Sequence, residues 1–244
     1  MNRPRTLGAA DRIRASLAEV ESLRSDAGGR DLQDGVLAVK HLQAVRFKAT
    51  YTDYLTDPRY APAVRFFLEE LYGAHDFSRR DAQFHRIAGA LERLFPAAVG
   101  DLAVDLARMH ALTERLDHAL SAHWCALPST LDNATRYVKA WRMTGDPDAR
   151  SRQLEVVLHM GRELQQLTRN RSLRMALRMM RRPAAAAGLS DLQHFLERGF
   201  DAFAGMPDIN GFLATISSRE SDWMRRLFDE EERTAIRELA GCTV

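Results

Sequence analysis

At 244 residues, with 45% hydrophobic and 28% charged side chains, the chain has apolar mass for one sizeable core or two small ones, and a single helical domain is the default reading. Its 35 basic residues are offset by 33 acidic ones, a formal net charge of +2. That balance excludes a globally basic nucleic-acid binder and confines any basic partner surface to a local patch.

The pattern then reads as helix after helix, with no period-2 strand. The first helix is predicted at about 9–25, stopping at Gly28-Gly29, and the second at about 31–56, stopping before Pro58. The third begins near Pro62 and ends at Gly73, a residue suited to a left-handed C-terminal position. Ser78 is placed as an N-cap, with Asp81 in the capping-box position, for a helix that ends before Pro96. A long helix covers about 98–126 and stops at Pro128. Further helices are predicted at about 131–144, 149–168, 172–182, 189–204, 208–228 and 230–239. The expected fold is therefore all-α, a single multi-helix bundle-like domain of about ten helices joined by short connections. Residues 31–244 are assigned to the bundle and residues 1–30 to an N-terminal helix that is loosely attached.

Lysine occurs only at Lys40, Lys48 and Lys139, so arginine carries almost all the positive charge, the bias of a GC-rich genome. Cys125 and Cys242 stand alone, without a nearby Cys or His at metal-ligand spacing, which points to a reducing compartment. The N-terminal stretch lacks the apolar core of a signal peptide, and no charge-light run approaches the roughly 18 residues of a transmembrane segment. A cytoplasmic location is expected.

One segment carries a resemblance. It runs through Gln43, Arg46, Thr50-Tyr51 and Asp53 to Asp57-Pro58-Arg59-Tyr60, then Phe66-Phe67-Leu68-Glu69-Glu70-Leu71-Tyr72-Gly73, then Asp76-Phe77-Ser78-Arg79-Arg80-Asp81. Leu192 to Phe200 and Thr215 to Glu220 carry it further. The chain beyond about residue 40 resembles an uncharacterised family of bacterial helical proteins with PRY, FFLxxLYG and RRD elements in that order. The resemblance implies an all-helical fold and brings no activity.

Polar residues that interrupt apolar faces are the candidates for function. Glu220 lies in a helical stripe of Ile209, Phe212, Leu213, Ile216, Trp223, Met224 and Leu227, where an unpaired carboxylate is costly. On the second helix Lys40 and Gln43 interrupt the stripe of Val36, Phe47, Tyr51 and Tyr54. On the long helix Thr113 and Asp117 interrupt Leu102, Leu106, Met109, Leu116, Leu120 and Trp124. Lys40, Gln43, Tyr51, Asp117 and Glu220 are accordingly expected to form an interior polar cluster. Two readings stay open: a network in which Lys40, Arg46 or Arg219 pairs with Glu220 or Asp117 and fixes helix register, or a polar pocket for a small ligand.

The enzyme alternative rests on His110, Glu114 and His118 at four-residue spacing, with Asp81 and His85 similarly placed on another helix. Such spacing serves carboxylate-bridged di-iron sites, and the alternative is a di-iron or haem-oxygenase-like metalloenzyme binding iron or manganese through Glu114, Asp117, His118 and Glu220. Against it, the histidine row is rotated by about 80° to 160° from the apolar stripe, which places it toward solvent. No nucleophile elbow, phosphate loop, HExxH or CxxC motif is present.

The last feature is a basic amphipathic helix. Arg171, Arg174, Arg178 and Arg181 or Arg182 recur at three- and four-residue spacing, and Leu173, Ala176, Leu177 and Met180 form its apolar face. Such a helix fits an acidic protein or another anionic surface; no aromatic is interleaved to stack on bases, which argues against nucleic acid. A face left over after packing would also permit a homodimer. The expected role is a binding or interaction protein with no cofactor.

Overall fold

The computed structural model describes residues 7–71, 77–94 and 96–242. Its elements are α1 (Ala9–Gly29), α2 (Gln33–Thr50), α3 (Thr52–Thr56), α4 (Ala61–Phe66) running into a π-helical turn (Phe67–Leu71), α5 (Ser78–Leu94), α6 (Ala97–Ala126), α7 (Asn133–Thr144), α8 (Pro147–Thr168), α9 (Arg171–Met179), α10 (Arg181–Ala186), α11 (Ser190–Ala204), α12 (Ile209–Phe228) and α13 (Glu232–Gly241). No strand occurs among the described residues, and the helices make one all-α domain. The predicted stop at Gly73 lies outside the described residues.

Side-chain caps set several of these boundaries. Asp132 accepts from the Thr135 amide at 2.9 Å, Asp146 from Ala149 at 3.0 Å, Asn170 from Ser172 and Leu173 at 3.0 and 3.1 Å, and Asp208 from Gly211 at 2.9 Å. Two predicted helices are split. The 31–56 stretch breaks at Tyr51 into α2 and α3, where Thr50 and Thr52 turn their hydroxyls back onto the carbonyls of Arg46 and Lys48 at 2.8 and 3.0 Å. Such back-bonding bends a helix. The 172–182 stretch breaks at Met180 into α9 and α10, because Pro183 has no amide to continue the ladder from α9.

Helix α6 is the axis of the molecule. α1, α2, α5, α7 and α8 all pack on it, so it is buried on several sides rather than along one stripe. Two apolar clusters share it. One joins Ile13, Leu17, Phe47, Val64, Phe84, Val104, Phe203 and Phe212. The other joins Val39, Leu42, Leu120, Trp124, Tyr137, Trp223, Leu227 and Leu239. Helix α12 feeds both and runs beside α8, where Gly161 allows close approach: a Cβ there would sit 2.5 Å from Leu213 Cδ2. No helix among the described residues is long and apolar enough to cross a membrane.

Candidate functional site: an interior polar row and an exposed basic helix

Lys40, Gln43 and Arg46 recur every three residues along one side of α2, and each takes one carboxylate from a neighbouring helix. Lys40 Nζ pairs with Glu114 Oε1 at 2.7 Å. Gln43 Nε2 donates to Asp117 Oδ1 at 2.9 Å. Arg46 Nη1 donates to both Glu220 oxygens at 2.7 and 2.6 Å, and the Tyr51 hydroxyl adds a third bond to Glu220 at 2.9 Å. The expected cluster of Lys40, Gln43, Tyr51, Asp117 and Glu220 is thus spread as a row. Glu220 meets Arg46, not Lys40, and Asp117 meets Gln43.

Burial gives the three carboxylates different characters. Asp117 is 1% exposed, and burial pushes its carboxyl up despite the nearby charges of Lys40 and Arg150 and the bond from Gln43. The Glu114 end continues into a chain of alternating charge. Arg24 lies 3.8 Å from Glu114 and 2.9 Å from Asp81, and His110 Nε2 lies 3.0 Å from Asp81. Burial alone would raise the Asp81 carboxyl; the bond and charge from His110, with Arg80 and Arg24, outweigh it and hold Asp81 below the usual carboxylate value. Arg80 passes the chain to Glu70, and Arg198 of α11 closes on Glu70 at 2.6 Å and on Glu69.

The histidine row of α6 needs correction. Expected toward solvent, it is covered, because α1 and α2 pack on that side of α6: Glu114 is 6% exposed, and the His110 and His118 side chains are 13% and 15% exposed. Asp81, expected to close a capping box on Ser78, reaches across to α6 and α1 instead, while His85 is exposed. Glu114, Asp117, His118 and Glu220 point to separate partners, Lys40, Gln43, Asp26 and Arg46. Among the described residues no three His, Cys, Asp or Glu side chains are grouped as a metal ligand set.

A cavity of about 60 Å³ adjoins the row between α2, α7, α8 and α12, and its polar walls are Gln43, Arg46, Tyr137, Arg150, Gln153 and Glu220. Tyr137, Arg150 and Gln153 were invisible to periodicity: an arginine in the first turn of a helix in this arginine-rich chain carries no sign of burial. Arg150 is nonetheless 6% exposed, with its guanidinium 4.1 Å over the Trp141 ring.

The basic helix has a different topology from its pattern. The apolar residues of its expected inner face are at best half-covered: Leu173 and Leu177 are intermediate, Ala176 and Met180 exposed. Arg174 and Arg181 are engaged by α11, with Asp201 and Glu197 at 2.7 Å each. Arg171, Arg178 and Arg182 make no ion pair among the described residues, and they share the outward face with Met175 and Met179, which are 66% and 71% exposed. Within α9 the order 171, 175, 178, 179 is i, i+4, i+7, i+8, a single stripe at 100° per residue, and the exposed Arg182 follows on α10 just past the break at Met180.

The family described as Domain of unknown function (DUF8198) matches residues 22–234. The chain belongs to this family. The DUF8198 match takes in the whole polar row, the cavity walls and the α9–α10 stripe, so all three lie within the matched region. No curated protein and no solved structure matches the chain.

Proposed function

We propose that this protein is a binding protein whose α9–α10 stripe docks on an acidic segment of a partner protein. The observation that carries the reading is the outward row of Arg171, Arg178 and Arg182, which make no ion pair within 4 Å among the described residues, although Glu197, its carboxyl lowered first by the bond from Arg181, also feels the charge of Arg178, with Met175 and Met179 bare between them. Arginine and methionine are both enriched at protein interfaces, and flexible methionine faces suit peptide grooves and helices. The stripe has no aromatic to seat in a lipid interface or to stack on bases, which favours a protein over a bilayer or a nucleic acid. A homodimer through the same face would set arginines against arginines.

The interior row supports this reading as a brace: three polar contacts from α2 fix its register on α6 and α12 and keep the body rigid behind the docking face. The setting we infer is the cytoplasm of a bacterium, supported by two free cysteines and the arginine-heavy composition, with the 58–60, 66–73 and 79–81 elements as marks of the bacterial members.

The test uses a labelled acidic amphipathic peptide of alternating Glu and Leu turns. Binding should weaken steeply between about 50 and about 300 mM salt. R171E/R178E/R182E should lose at least about tenfold in affinity, and R174Q/R181Q, whose cations are already engaged, far less. Equal binding by the triple variant, or tighter binding to phosphatidylserine vesicles or duplex DNA than to the peptide, overturns the proposal.

A further inference from the structure

The chain distributes its methionines unevenly. Of its nine, Met175, Met179 and Met180 fall together on α9 and its C-cap. Met109, Met160 and Met206 are buried, and the Met109 sulfur accepts a hydrogen bond from the Thr113 hydroxyl. Met175 and Met179 are the reverse: they are the most exposed methionines among the described residues, and a spacing of four sets both on the outward stripe of α9. Met143, the next most exposed, belongs to α7.

A thioether this open to water meets any dissolved peroxide. With hydrogen peroxide the sulfur lone pair attacks one oxygen, the S–O bond forms and the O–O bond breaks. The second oxygen leaves as water, taking the proton of the first through solvent; the sulfur loses two electrons and the peroxide gains them. The product is methionine sulfoxide, polar where the thioether was apolar. On this stripe the new oxygen acts twice. Met175 lies four residues after Arg171 and three before Arg178, so an oxygen there is one helical turn from either guanidinium and can accept from it, occupying a cation that a partner carboxylate needs. At Met179 it puts a polar group on the adjoining apolar surface, and at both positions its negative end opposes an incoming carboxylate.

We propose that Met175 and Met179 form an oxidation site that controls docking: a peroxide converts both to methionine sulfoxide and releases the acidic partner from the α9–α10 stripe. Methionine sulfoxide reductases reverse the step, two electrons from a dithiol returning the thioether while the oxygen leaves as water. The switch rests on the docking role of the stripe, and peptide binding by untreated protein tests that role by itself.

The experiment maps oxidation of the full chain by mass spectrometry after hydrogen peroxide and titrates the same acidic peptide before and after treatment. Met175 and Met179 should each gain one oxygen ahead of Met109, Met160 and Met206. Peptide affinity should fall at least about tenfold, and should return after methionine sulfoxide reductase with dithiothreitol. M175L/M179L, apolar but without sulfur, should bind like untreated wild type with or without peroxide, which separates these two sulfurs from Met143 and Met180. M175Q/M179Q, polar without any oxidant, should bind as weakly as oxidised wild type. Undiminished peptide binding by oxidised wild type, an equal loss on oxidation in M175L/M179L, or oxidation of Met175 and Met179 no faster than of the buried methionines overturns the switch while the docking role stands. Failure of untreated wild type to bind the peptide overturns both.

Discussion

Removing the carboxylate of Glu220 is the sharpest test of the interior row. The Glu220 and Arg46 side chains are 14% and 13% exposed, so water screens the pair only at its edge. Glu220→Ala deletes two hydrogen bonds from Arg46 and one from the Tyr51 hydroxyl, all to a charged acceptor. Breaking a buried pair from one side costs about 3–5 kcal/mol, and the partial exposure places this loss at the lower end, about 3 kcal/mol. For a domain of this size that is a fall in Tm of roughly 6 to 12 °C. Glu220→Gln keeps an acceptor for Tyr51 and should lose about half as much. Replacing both partners, as R46M/E220L, should recover most of the loss, because an apolar pair leaves no stranded charge. Urea denaturation followed by far-ultraviolet circular dichroism measures all three. The reasoning is refuted if E220A lies within about 0.5 kcal/mol of wild type, the range of an ordinary surface change.

Acid sensitivity should divide between two carboxylates of opposite shift. Asp81 is held below its ordinary 3.8 in the folded chain, so its stabilisation is present above that value and is lost as pH falls through the folded pKa; D81N should flatten the stability curve below about pH 4. Asp117 is raised by burial, so the folded state is penalised as pH climbs past 3.8, where the unfolded chain ionises first; D117N should gain stability relative to wild type from pH 4 upward in urea titrations. Gly161→Ala should cost about 1–3 kcal/mol in the same assay, because Leu213 must move off the new methyl; an unchanged midpoint would show that the α8–α12 contact is looser than described.

Glu220 was legible in the sequence because a carboxylate between Ile216 and Trp223 on one helical stripe has to find a donor, and the structure supplies Arg46 and Tyr51. The polar side of α2 was legible for the same reason. Which carboxylate each residue takes was not, since that depends on the rotation of α6. A single apolar stripe misjudges that rotation in a helix surrounded by five others, and so Glu114 and His110 were turned the wrong way. Arg150 left no trace in the pattern: its burial comes from Trp141 of α7 folding back over it, a tertiary contact across the Gly145–Pro147 turn. The basic helix was legible as an arginine repeat, but its docking face was not. Met175 and Met179 become significant only once Asp201 and Glu197 have claimed Arg174 and Arg181.

Site-specific photo-crosslinking from position 175 in living cells tests the docking face most directly, because that side chain stands among Arg171, Arg178 and Arg182 on the outward stripe. The account predicts a protein adduct whose crosslinked peptide is acidic and which disappears in R171E/R178E/R182E. An adduct that persists in that variant, or crosslinks confined to lipid or nucleic acid, contradicts it.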